Sequence, residues 1–265
     1  MMESMIIGKY VPAPSLIHRM DPRSKLLLIF SFVMIVFLAD NALTYGLLIA
    51  YTVFITSLTK VPFQYILKGL KPIIWIILFT FILHLMMTKE GEVLITLGPL
   101  SIHEEGLRQA IFISIRFFLL IMMTSLLTLT TTPIEVTDGM ESLLQPFKRL
   151  GLPVHELALM MSISLRFIPT LMQETEKIMK AQTARGVDFT SGPLKDRLKA
   201  IIPLLVPLFI NSFRRAEELA NAMEARGYRG GEGRTKYREL KWKLSDTLFL
   251  LSIGIVTIIL LFLRL

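Results

Sequence analysis

The chain has 265 residues, no cysteine, 53% hydrophobic residues and a formal net charge of +8. A mean hydropathy of +0.59 lies above the range of ordinary soluble domains, so a membrane class is the first expectation. The missing cysteine excludes disulfide staples, thiolate metal sites and a cysteine nucleophile.

The positive charge fits cations flanking transmembrane helices and anionic lipid better than nucleic acid. The amino-terminal stretch is polar and broken by Pro12 and Pro14. It lacks the short apolar core of a cleavable signal, so the first apolar run is expected to stay in the membrane.

Five apolar runs follow in chain order. Leu26 to Ala39 and Ala42 to Leu58 flank a polar break at Asp40 and Asn41 and predict a helical hairpin. The first is shorter than the roughly 20 residues that cross a bilayer, so it must tilt, borrow flanking positions or pack against protein. Pro72 to Met87 predicts a third span and Leu107 to Leu129 a fourth, with Arg116 inside it. An arginine there needs a partner, a carboxylate or a watery groove, and its role stays open. Thr247 to Leu263 is the last span.

Lys9, Arg19, Arg23 and Lys25 before the first span, and Lys60, Lys68 and Lys71 before the third, belong on the cytoplasmic side. The loop from Lys89 to Glu105 carries four glutamates and one lysine and belongs outside. Five spans then put the N-terminus in the cytoplasm and the C-terminus outside. The expected fold class is all-α: a polytopic membrane protein with about five transmembrane helices and a cytoplasmic helical coupling domain between the fourth and fifth. The expected divisions are 1–132, 133–244 and 245–265.

After Pro133 the apolar positions become periodic. Leu157, Met160, Met161, Ser164 and Ile168 predict a half-buried helix, which Pro169 is expected to bend or end. The next helix places Leu171, Thr175, Ile178 and Met179 on one face, with Glu174, Glu176, Lys177 and Lys180 elsewhere, and ends at Gly186. A segment from Leu194 runs through Ile201 to Ile210, apolar enough to dip into the membrane and interrupted by Pro203 and Pro207. It continues with Phe213, Ala216, Leu219, Ala220 and Met223 on one face, Arg214, Arg215, Glu217, Glu218 and Glu224 largely on the other, and ends at Gly227.

Laying Arg185 on Arg226 superimposes Glu176 on Glu217, Ile178 on Leu219, Ala181 on Ala222 and Ala184 on Ala225. The chain thus ends two helices with the same Ala-Arg-Gly tripeptide, Ala184-Arg185-Gly186 and Ala225-Arg226-Gly227. One reading is local: glycine is the preferred left-handed C-cap, and arginine complements the negative end of the helix dipole. The other is a docking anchor, because a guanidinium at a thin helix tip can form bidentate bonds to a carboxylate on another protein.

Together with Met20-Asp21-Pro22-Arg23-Ser24-Lys25, His155 to Met161, Arg166-Phe167-Ile168-Pro169, Ala181 to Gly186 and Ala222 to Tyr228, these tripeptides resemble the T-component family of energy-coupling factor transporters over nearly the whole chain. The resemblance implies a non-catalytic scaffold of an ABC-type importer in the cell membrane. Its partners would be two cytoplasmic ATPases, met at Ala184, Arg185, Gly186, Ala225, Arg226 and Gly227, and a small membrane S component that binds a vitamin or metal. Met160, Met161, Met172, Met179 and Met223 line faces suited either to ordinary packing or to S components of varied sequence.

No Gly-Lys-Ser/Thr phosphate loop is present, so ATP hydrolysis belongs to another subunit. His155-Glu156 lacks the second imidazole of a zinc-protease motif, since Leu159 stands four residues on. His18, His84 and His103 are read as structural, and neither a metal site nor a cofactor is expected. Asp21-Pro22-Arg23 reads as a helix cap. The glycine- and arginine-rich run from Arg226 to Arg234 reads as a cytoplasmic turn rather than an RNA site. Three alternatives stand beside the main reading: an intramembrane enzyme using Arg116 and the histidines, a self-contained secondary transporter, and a T component dedicated to cobalt or nickel.

Overall fold

The computed structural model describes residues 10–97, 100–189, 193–230 and 239–264. The chain forms two compact units, residues 1–143 with 240–265, and residues 144–239.

The first unit opens with a 3-10 turn at Ile17–Arg19 and helix α1, Pro22–Val36. Asp21 caps α1 as its sequence predicts: the side chain accepts from the Arg23 amide at 2.9 Å, and Pro22 occupies the first helical position. Helix α2, Ala42–Thr59, starts on a capping box in which Asn41 and Thr44 exchange side-chain and backbone bonds. Lys60 ends it in a left-handed conformation at φ 53°.

Helix α3, Phe63–Met87, begins nine residues before the expected third span. It bends by 54° between Gln64–Lys71 and Ile73–Met87, where Pro72 removes an intrahelical bond. The acidic loop, for which no strand was expected, folds into the antiparallel pair β1, Val93–Leu97, and β2, Leu100–His103. Helix α4 is Glu104–Thr130, and α5, Pro133–Leu144, starts on a Thr132–Glu135 capping box. The last helix of this unit covers Leu244–Arg264.

In the second unit, α6 is Val154–Ala184 and α7 is Leu194–Ala225, so the Leu244–Arg264 helix is α8. Pro169 does not end α6, and Pro203 and Pro207 do not interrupt α7. Each proline costs its helix one backbone bond, and the flanking turns carry the ladder past it.

Four of the described helices are long and apolar enough to cross a membrane: α2, α4, α6 and α8; counting the bent α3 as one span gives five. Membership thus differs from the expected five. Helix α1, at 15 residues, is not among them, whereas α6 qualifies on composition.

The core of the first unit is the contact of α1, α2, α4 and α8, with Phe32, Leu48, Met123 and Leu260 almost wholly enclosed. Tyr51 of α2 meets Ser252 of α8 at 3.0 Å. Outward, Trp75, Phe79 and Phe262 are exposed, as suits a lipid-facing surface. Arg116, in the middle of α4, donates to the Ala39 carbonyl at 3.2 Å and lies 5.5 Å over the Phe37 ring. Its partners are therefore a helix-end carbonyl and an aromatic face, in place of the expected carboxylate.

Asp246, at 0% exposure, is the polar centre of this unit. Its Oδ1 accepts from the Asp21 amide and the Ser24 hydroxyl, each at 2.9 Å, and its Oδ2 from the Lys243 amide at 2.7 Å. Replacing it by alanine strands two backbone amides, Asp21 at the N-cap of α1 and Lys243 before α8, while the Ser24 hydroxyl keeps the Asp21 carbonyl at 2.8 Å. Asp246→Ala is expected to cost about 3 kcal/mol, and Asp246→Asn less, because one oxygen survives. Thermal unfolding in detergent checks both.

His18 is read correctly as structural. Its Nε2 donates to the Val11 carbonyl at 2.9 Å, which leaves Nδ1 to accept from Ser15 at 2.6 Å. Burial lowers its pKa below the ordinary 6.5. The unfolded ring therefore takes up a proton before the folded one does, and the stability present above pH 6.5 is lost as pH falls below it. His18→Gln is expected to flatten that acid-side loss in a melting-temperature series.

Candidate functional site

Helices α6 and α7 form an antiparallel pair. Gln182 Nε2 donates to the Pro203 carbonyl at 3.4 Å near one end, and Tyr228 Oη lies 3.4 Å from His155 Nε2 near the other. Between them Arg215 grips Glu174 in a two-pronged bond, Nη2 to Oε1 at 2.7 Å and Nη1 to Oε2 at 3.3 Å. The guanidinium also lies 5.7 Å over the Phe167 ring.

Glu174 and Arg215 are equivalent positions of the internal repeat, since each stands eleven residues before its tip arginine, Arg185 or Arg226. An antiparallel pair that touches at equivalent positions is related by an approximate two-fold. Its C-terminal tips therefore point away from each other. At 1.5 Å per residue each arm from crossing to tip is about 16 Å long.

The two tips have one geometry. Arg185 (φ −88°, ψ 5°) and Arg226 (φ −87°, ψ 6°) are the C-caps, and Gly186 and Gly227 follow at φ 89° and 74°. The Gly186 amide donates to Thr183 and the Val187 amide to Gln182; the Gly227 amide donates to Glu224 and the Tyr228 amide to Met223. This pair of bonds is the Schellman motif, which satisfies helix-end carbonyls and requires a left-handed residue. Ala184, Arg185, Gly186, Ala225, Arg226 and Gly227 are all exposed. The local reading of the tripeptide is thus correct, and it leaves both guanidinium groups facing solvent.

The packing faces depart in part from their expected stripes. Helix α6 presents Ile163, Phe167 and Leu171 to α7, and together with Ser212, Arg215, Ala216, Leu219, Ala220 and Met223 they line a groove of about 320 Å³. Leu157, Met160, Met161 and Ser164, expected to be half-buried, are exposed, so α6 carries a second apolar stripe that nothing in its own unit covers. Met172 and Met179 are half-buried, while Met223 faces the groove.

Arg215, expected largely on the opposite face, lines the groove because it stands one turn before Leu219. Phe213, expected on the packing face, is 73% exposed. The Glu174–Arg215 bond escaped a reading by hydrophobic period. The repeat itself held the signal, opposite charges at matched positions.

A family model described as "Cobalt transport protein" matches residues 13–237. The chain is 67% identical over 264 residues to a Bacillus subtilis protein described as "Energy-coupling factor transporter transmembrane protein EcfT", with all of both chains covered. Proteins of the same description from Listeria innocua (58% over 264 residues, all of both chains) and Exiguobacterium sibiricum (56% over 260 residues, 98% of this chain and 99% of the relative) are also similar.

Because each glycine sits at positive φ with open space around it, alanine there meets backbone strain rather than a clash. Gly186→Ala and Gly227→Ala are each expected to loosen the tip by about 1 kcal/mol, an opening about fivefold more frequent. Faster hydrogen exchange at the Val187 and Tyr228 amides checks this.

Proposed function

The chain belongs to the family of energy-coupling factor transporter transmembrane proteins, and we propose that it works as the T component of such an importer through its two arginine tips. Arg185 and Arg226 each dock one cytoplasmic ATPase subunit. Helices α1 to α4 and α8 cross the membrane, α1 with the help of its flanking residues, while unit 144–239, α6 included, lies in the cytoplasm; the N-terminus then lies on that side and the C-terminus outside. The chain itself is non-catalytic; the ATPases supply the energy and an S component supplies the substrate, a vitamin or a metal ion.

The observation that carries this reading is the repetition of one exposed Ala-Arg-Gly cap in one backbone geometry at two helix ends. A C-cap alone needs no arginine, and backbone amides already satisfy the Gln182 and Thr183 carbonyls at one end and the Met223 and Glu224 carbonyls at the other. The guanidinium groups are left over for a partner's carboxylates. Two outward arms on an approximate two-fold suit a pair of similar partners.

As the ATPases close on ATP, docked tips follow their grooves. The Glu174–Arg215 bond ties the two arms at their crossing, so the motion of one is felt by the other. The exposed Leu157, Met160 and Met161 stripe and the half-buried Met172 and Met179 offer the S component an adaptable apolar surface. Met223 contributes by shaping the groove beneath.

The relatives' descriptions favour the energy-coupling factor type over a component dedicated to cobalt or nickel. The enzyme reading leaned on Arg116 and the histidines; Arg116 donates to the Ala39 carbonyl and lies over Phe37.

Affinity purification of the tagged chain with its ATPases provides the test. Arg185→Glu combined with Arg226→Glu is expected to abolish recovery of both ATPases, and each single reversal to weaken it. Full recovery with the double variant refutes the docking role.

A further inference from the structure

The chain passes between its two units twice, after Leu143 and before Leu240. Both passages are fastened within unit 1 to a single side chain on the first turn of α1. Arg23 Nη1 donates to Ser142 Oγ at 3.3 Å, beside the outgoing passage. Its Nη2 donates to the Leu240 carbonyl at 3.5 Å, and the guanidinium lies 5.6 Å over the Trp242 ring, both on the returning passage. Its remaining edge is held by Asp21, Nε to Oδ1 at 3.0 Å and Nη2 to Oδ2 at 2.8 Å.

The surroundings make this a rigid mount. Asp21 and Ser24 are bound to Asp246 of α8, just beyond the returning passage. On the outgoing side, a β-carbon at Gly139 would stand 3.0 Å from Leu26 Cδ1 and 3.2 Å from Pro22 Cβ, so α5 is seated directly on α1. A planar guanidinium with a bidentate carboxylate on one edge has little freedom left, and its other donors keep a fixed direction.

We propose that Arg23 is a positioning residue that pins both passages of the chain to the first turn of α1, so that displacement of the coupling helices is delivered to the membrane spans rather than lost in slack connections. The pin stands on contacts inside unit 1; its mechanical use rests on the reading that the coupling helices follow ATPases.

The absence of cysteine lets labels be placed at will. Leu16→Cys and Lys241→Cys, both at exposed positions of unit 1, report the returning passage by spin-label distances on the full chain in lipid nanodiscs. Measured without ATPases, the distances test the pin alone, whatever the fate of the docking proposal.

With Arg23 present the distribution is expected to be narrow. Arg23→Ala is expected to broaden it about twofold, and Arg23→Lys, which keeps charge but not the fork, to recover only part of the narrowing. Helix content by circular dichroism is expected to stay unchanged. Equal widths with and without Arg23 overturn the proposal, and so does a broadening accompanied by lost helix content, which marks a merely structural role.

If Arg23→Ala cannot be recovered from membranes, Ser142→Ala with Trp242→Leu carries the comparison, because it removes the short side-chain tether of the outgoing passage and the ring contact of the returning one, leaving the long Leu240 carbonyl bond and the Asp21–Arg23 pair. Broadening there supports the pin and an unchanged width overturns it. In the complex with ATPases, Arg23→Ala is expected to leave ATPase recovery unchanged, which separates failure of the pin from failure of docking.

Discussion

Backbone groups at helix ends are the constraint on which this structure turns, because lipid offers them no partner. The chain meets it with cations. Lys25, only 4% exposed, donates to the Thr130 carbonyl at the end of α4 at 3.0 Å, and Arg116 donates to the Ala39 carbonyl just past α1. Asp246 performs the complementary task for amides at the starts of α1 and α8. Each charge thereby finds work that offsets the cost of its burial. The spans can stay short and tightly seated because their ends are closed by side chains from neighbouring helices.

Outside the apolar core the same problem is solved differently. The tips of α6 and α7 are closed by their own amides through a left-handed glycine, so no cation is consumed there. The arginine beside each glycine is free in a way that Lys25 and Arg116 are not. That division separates cations that close helix ends from cations that the helix ends do not need.

The features legible in the sequence were local ones. Asp21 as a cap, Gly186 and Gly227 as helix ends, and the matched tripeptides all follow from rules spanning a few residues, and the structure realises them. Features that depend on a distant partner were hidden. Nothing near Asp246 in the sequence says that its acceptors are needed by Asp21 and Ser24, more than two hundred residues away. Pro169, Pro203 and Pro207 carry a strong local stop signal, yet α6 and α7 run through them. The β1–β2 pair escaped notice because a loop was inferred from charge alone. Hydrophobic period put Leu171 on an apolar face of α6 but missed Ile163 and Phe167, which join it toward α7.

The spacing of Pro203 and Pro207 has a further effect. The Pro203 carbonyl would ordinarily accept from the amide four residues on, but that residue is Pro207, which has none. Gln182 of α6 donates to the vacated oxygen instead. Stiffness along the pair is therefore uneven. From Pro169 to Ala184 and from Pro207 to Ala225 each arm is unbroken helix, with the Glu174–Arg215 clasp inside it. A load at either tip meets two firm beams and a compliant joint behind each, so flexure concentrates at the prolines and the clasp is spared.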